Sequence, residues 1–237
     1  MVAAHYKTIL TRSEEALDAL AADEGNLSSF TTAHNFAEDL DALEALVQGR
    51  PEEKMFKLAR VEYQHALYSA AVAQYRQAHV SLRLFFELSL CSVLFSAHEI
   101  DTKLWLKGQM DSNWSAINCK EKGVFSKYFV GAFFEEMKEY SPQYNALATK
   151  LYRECSEFVH GNRQSYDGLD GQIAYNAEIL ERWSDRADTA RLVVKFAFVC
   201  RYLMGATTET KNDLESLALE NFGELPPVQA IYSGVAE

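Results

Sequence analysis

Glycine and proline are scarce in this chain, 11 and 4 among 237 residues. Strand-and-turn folds depend on both residue types, so their scarcity points away from a sandwich or barrel and towards long helices. Cysteine is sparse as well. The four present, Cys91, Cys119, Cys155 and Cys200, lie far apart with no CxxC pair. A zinc site would need His or Cys ligands at short spacing, and none appears, which leaves free thiols, three of them in apolar helical patterns. Positive charge is short too: the net charge is -11. A general nucleic-acid coat needs clustered Lys and Arg, so this balance argues against one, whereas it leaves room for a small local basic site. The N-terminal MVAAHYKTILTRSEEALDAL lacks the basic-then-apolar pattern of a signal peptide. The apolar run LRLFFELSLCSVLF carries Arg83 and Glu87 and reads as too short and too charged to span a bilayer. These features predict a cytosolic (cytoplasmic) protein with no membrane partner.

What is present is helical periodicity. An acidic N-terminal extension, residues 1–50, holds amphipathic stretches at 9–20 and 33–47, the second with Phe36, Leu40, Leu43 and Val47 three and four apart. GNLSS between them reads as a loop. The extension is a lobe of the fold rather than a separate domain. The main helical domain is expected over residues 51–222, with a tail over 223–237.

Residues 52–98 contain no Gly or Pro, so the stretch is either one long spine or two helices broken near residues 76–80. PEEK opens it well, with Pro51 in the first turn and acids at the positive end of the helix dipole. The segment from Asp101 to Gly123 is the most loop-like, and its Trp105 and Trp114 suit either an interface or lids on a helical core. A helix is expected over 124–140 on the stripe Phe125, Phe129, Phe133 and Met137. Ser141 and Pro142 then open a helix that runs to His160, with Gly161 where a left-handed cap belongs. Beyond it, helices are expected over 173–183, 189–204 and 212–222. The fold class is all-α.

The stretch LYRECSEFVHGN, residues 151–162, carries the main chemical signal. On a helical wheel Leu147, Ala148, Leu151, Cys155, Phe158 and Val159 form the core face. Arg153 and His160 are about 700 degrees apart, hence within about 20 degrees of each other, and lie roughly opposite that face. Thr149, Ser156 and Glu157 flank them. Two bland readings account for the pair: an i,i+4 ion pair of Arg153 with Glu157, and a C-terminal His favoured by the helix dipole.

An Arg, several intervening residues and a His at the end of an amphipathic helix, following a long apolar helix with polar residues such as Arg83 and Glu87, resembles HEPN domains. The resemblance covers roughly residues 75–205. Here six residues separate Arg153 from His160, and Glu154 follows Arg153 where active members often have Asn, Asp or His. The resemblance implies an all-α, HEPN-like bundle that forms a homodimer or a hetero-complex with a partner protein. It also implies a metal-independent endoribonuclease or toxin-type effector of bacterial anti-phage defence, using no cofactor and no metal. Its catalytic residues would be Arg153 and His160, the first neutralising the phosphate and the second transferring protons. Glu87, Arg83, Glu157 and Asn162 would support them, and Arg163 and Tyr166 would contact RNA. The alternative is a catalytically inactive dimerisation or regulatory subunit of a larger defence complex.

Arg83 and Glu87 are an i,i+4 pair in an apolar helix. They either face the His160 cleft or brace two helices internally. His79, four residues before Arg83, either joins that polar stripe or sits satisfied in the core, and His98 reads as a helix-end residue.

Overall fold

A computed structural model describes residues 1–160 and 173–233. Among them the chain forms twelve α-helices, one 3-10 turn and no strand, so the all-α class holds.

Two long helices open the chain, α1 (Val2–Ala22) and α2 (Glu24–Val47). GNLSS is not a loop but the first turns of α2. The chain turns at Asp23 alone, whose carboxylate accepts the Asn26 N–H at 3.1 Å and the Tyr175 hydroxyl at 2.7 Å. That side-chain cap starts the helix in spite of Gly25. The buried residues of α2, among them Phe36, Leu40, Leu43 and Val47, are the stripe read from the sequence. They pack against α9 and α3.

The stretch without Gly or Pro is two helices, α3 (Glu53–Ala71) and α4 (Tyr75–Phe95), which pack along one another as a hairpin. The break falls at residues 72–74, earlier than the pattern suggests. Its form explains why. The Ala73 N–H donates to Ala70 O and the Gln74 N–H to Ser69 O, the paired bonds of a Schellman ending, with Ala73 at φ 57 in the place where glycine is usual.

Most of α4 is buried, including Leu82, Phe85, Phe86, Leu90 and Cys91. At 21 residues it is longer than the apolar run read from the sequence, and by length and composition it passes the test for a bilayer span. Most of its apolar window is covered within the bundle, by α3, α8 and α9.

The loop-like stretch holds two short helices, α5 (Glu99–Leu106) and α6 (Trp114–Ile117), with Trp105 and Trp114 half-buried against the core as lids. The helix expected over 124–140 is instead α7 (Lys127–Phe133) and a 3-10 turn (Glu135–Met137). Phe134, extended at φ -151, interrupts it and is itself buried. The helix α8 (Ser141–His160) starts where predicted and is helical to His160, while the expected Gly161 cap lies outside the described residues. After it, α9 (Ala177–Tyr202) is one continuous helix where two were expected. Its polar stretch SDRAD stays helical because Trp183, Ser184, Ala187 and Ala190 keep a buried stripe running through it. Two helices, α10 (Thr208–Asp213) and α11 (Glu215–Phe222), replace the single one expected, and the tail forms α12 (Pro226–Tyr232) on Pro226 and Pro227.

One hydrophobic cluster runs from Ala16 to Val228, so residues 1–50 share the core of the rest. Cys91, Cys155 and Cys200 are buried free thiols. Cys119 is half-buried and donates to Glu121 at 3.1 Å.

Candidate functional site

Helix α8 carries the candidate pair, and its two faces differ sharply. Tyr144, Ala148, Leu151, Cys155 and Phe158 are buried against α4 and α9. Arg153 and His160 are both exposed, on the opposite side as the wheel predicts. Seven residues of helix separate them by about 10 Å along the axis. Glu157 is half-buried between them. Asn162, Arg163 and Tyr166, together with Gly161, lie outside the described residues.

Arg83 and Glu87 brace α4 against α8 and the segment before α6, at the edge of a hollow that they line with Trp114 and Tyr152. The two charged side chains are 3.3 Å apart. The Arg83 Nε donates to Ser156 Oγ at 3.0 Å, and its Nη2 donates to the Tyr152 hydroxyl. That hydroxyl donates to Glu87 Oε2 at 3.2 Å, and Ser112 donates to Glu87 Oε1 at 2.7 Å. The Tyr152 ring stacks on Trp114 with centroids 3.8 Å apart, and Arg83 lies over its other side at 4.5 Å. The largely buried Glu87 carboxylate is tolerated because both its oxygens accept hydrogen bonds and the half-buried Arg83 guanidinium lies against it. Burial, and then the Glu87 charge, push the Tyr152 hydroxyl up from its ordinary pKa. The brace thus fixes the flank of α8 next to Arg153 and His160 without reaching either.

His79 is a satisfied core histidine. It is fully buried, stacked on Phe158 at 3.9 Å between centroids. Its Nδ1 lies 2.8 Å from Tyr75 O and its Nε2 2.8 Å from an Arg186 nitrogen. Nδ1–H donates a hydrogen bond to the carbonyl oxygen and Nε2 accepts one from the guanidinium, so the ring is neutral. Burial pushes its pKa down to about 3. Arg186 also donates to Glu154 at 3.2 Å, which ties the residue after Arg153 to α9. His98 is exposed at the start of α5, a helix-end residue as expected.

A feature that the linear pattern hides lies beside Arg153. The surface hollows into a groove of about 670 Å³ between the segment around α7 and the outer side of α8. Lys120, Lys127, Lys150 and Arg153 line it, and no carboxylate does. The only sequence signal was the local density of lysine in CKEKG and FSK, which nothing in the chain order connects to α8. Among the described residues no cluster of three or more His, Cys, Asp or Glu side chains is placed to hold a metal.

Comparison with known proteins adds no relative. No protein-family model, curated protein or solved structure matches the chain.

Proposed function

We propose that this protein is a HEPN-like, metal-independent endoribonuclease of the toxin or anti-phage effector kind, with Arg153 and His160 as its reactive pair. The observation that supports it is their shared exposure on one side of α8, on a helix held from behind by the core and at the side by the Arg83–Glu87 brace. About 10 Å along the axis is too far for one chain's pair to grip one phosphate closely. A second α8 packed antiparallel, with its two-fold axis near Ser156 and Glu157, would set Arg153 of one chain opposite His160 of the other. A homodimer therefore completes the site and removes the water that would otherwise screen both groups.

In that site a His160 imidazole takes the proton of the RNA 2′-hydroxyl, whose oxygen attacks the adjacent phosphorus. The P–O5′ bond breaks, the His160 imidazolium so formed passes its proton to the leaving 5′ oxygen, and a 2′,3′-cyclic phosphate remains. Arg153 balances the negative charge that grows on the non-bridging oxygens. The protein would act in the cytoplasm on host or invading RNA.

A second reading, a catalytically silent HEPN-like dimerisation or regulatory module, is favoured by Glu154 directly after Arg153, bonded to Arg186. Cleavage of several RNAs in buffer with chelator separates the two. Wild type, Arg153→Ala and His160→Ala are compared at matched oligomeric state, checked by light scattering. The ribonuclease reading expects cleavage reduced about 100-fold or more in His160→Ala. Equal rates in wild type and both variants would sink it, and folded wild-type dimer that cuts none of the RNAs would favour the silent module.

A further inference from the structure

We infer that the cationic groove beside α8 binds the phosphate backbone of a single-stranded RNA and leads the strand onto Arg153. The location of the site comes from geometry and charge alone. The choice of ligand rests on the ribonuclease reading above.

The charge pattern is the first argument. This chain has 34 Asp and Glu against 23 Lys and Arg, yet the groove is lined by four cations and no acid. The cations come from three separate stretches: Lys120 after α6, Lys127 at the first position of α7, and Lys150 with Arg153 on α8. A solvated charged face on one helix would not need such convergence. Lys127 is paired with Glu139, and Lys150 has Glu154 at 3.9 Å, but both carboxylates stand outside the lining. In a strongly acidic protein, a local positive field of this kind gathers anions that the rest of the surface repels.

The shape and floor are the second. A volume of about 670 Å³ is that of a ligand-sized pocket, and the groove is open rather than enclosed. Phe125, Pro142 and Ala146 give it an apolar floor. Thr149 and Ser126 are already committed, Thr149 to Asn118 and Asn145 O and Ser126 to the start of α7. A ligand recognised here meets four cations over apolar surface, with Asn145 and the Ser126 hydroxyl as further polar groups in the lining. A phosphate backbone with bases lying on a nonpolar floor matches that balance, and sequence-tolerant binding follows. The position is the third argument. Arg153 belongs both to the groove and to the exposed side of α8 that carries His160, so a strand lying in the groove runs directly to the proposed reacting pair.

The test uses the full chain and a fluorescent single-stranded RNA methylated at every 2′-oxygen, which cannot be cut through that hydroxyl. Binding is read by anisotropy over a series of salt concentrations. Wild type is compared with Lys120→Glu/Lys150→Glu, and with Lys54→Glu/Lys103→Glu, which changes net charge equally on exposed sites away from the groove. All are first matched for thermal midpoint. The expected result is binding weakened at least 10-fold in the groove variant only, with the log–log salt slope shallower by about 0.7 per lysine removed. Equal weakening in both variants would reduce the effect to net charge and overturn the groove. So would unchanged binding in the groove variant, or displacement of the strand by inorganic phosphate at the same phosphate concentration. The two proposals fail separately. Binding through the groove without cleavage of ordinary RNA keeps the groove and removes the nuclease. Cleavage at the wild-type rate by Lys120→Glu/Lys150→Glu keeps the nuclease and removes the groove.

Discussion

Two buried ionisable residues behave in opposite ways, and each gives a measurable outcome. His79 stays neutral in the fold because burial and the donated bond from Arg186 disfavour its charged form. Its folded pKa, pushed down to about 3, lies below the ordinary value, so the unfolded chain binds the proton first. Stability attributable to His79 is therefore complete above about pH 6.5 and declines by about 1.4 kcal/mol per pH unit as pH falls towards 3. Urea titrations at pH 4.5, 5.5 and 6.5 on wild type and His79→Gln check this: the variant should lose less stability over that interval, and parallel profiles would refute a neutral buried ring. Lys195, by contrast, is buried in α9 with its ammonium 2.5 Å from the half-buried Asp39 of α2 and beside the Phe36 ring. Desolvation lowers its pKa, opposed by Asp39. A methionine fills the same space without the desolvation cost, so Lys195→Met is expected within about 1 kcal/mol of wild type by denaturant midpoint. Asp39→Ala strands the ammonium and should cost about 3 kcal/mol.

At the scale of elements, the brace between α4, α8 and the turn before α6 makes the sharpest prediction. Glu87→Ala leaves the Arg83 guanidinium partly buried with only hydroxyl partners, and a loss of about 3 kcal/mol is expected. The double change Arg83→Met/Glu87→Leu should restore most of it, by the same denaturant measurement. How far the elements were readable depends on what ends each helix. Ser141–Pro142 and the 3.6-residue stripe made α8 plain, and the exposure of Arg153 and His160 followed from that periodicity. The end of α3 was unreadable because Ala73 occupies a left-handed cap with no glycine to mark it. Continuity of α9 was hidden by the charged stretch SDRAD, whose buried small residues only neighbouring helices can reveal. In residues 124–140 the Phe stripe was real, but burial of Phe134 as well required a kink that periodicity alone does not contain.

For the whole molecule, α1 and α2 are part of a single core. Phe36 and Tyr63 meet edge to face, Tyr63 in turn lies against Phe85, and α2 covers α9. A chain lacking residues 1–50 should therefore show no cooperative thermal transition; a sharp one near the wild-type midpoint would make that lobe dispensable. The candidate site divides along the same line. Its α8 half is local and was legible, whereas Lys120 and Lys127 join Arg153 only through tertiary packing, which linear spacing does not encode.

The apolar length of α4 has a consequence during synthesis. Before α8 and α9 have left the ribosome, this 21-residue segment lacks the helices that will cover it, and it is long enough to be taken up by a membrane-insertion machinery. Arg83 and Glu87 sit near its middle, where each charge adds roughly 3 kcal/mol to the cost of entering lipid. The pair that contributes little net stability to the finished fold thus raises the cost of inserting this segment into lipid. Arg83→Met/Glu87→Leu should fold nearly as stably as wild type in vitro, yet a larger fraction of it should partition with membranes when translated in their presence.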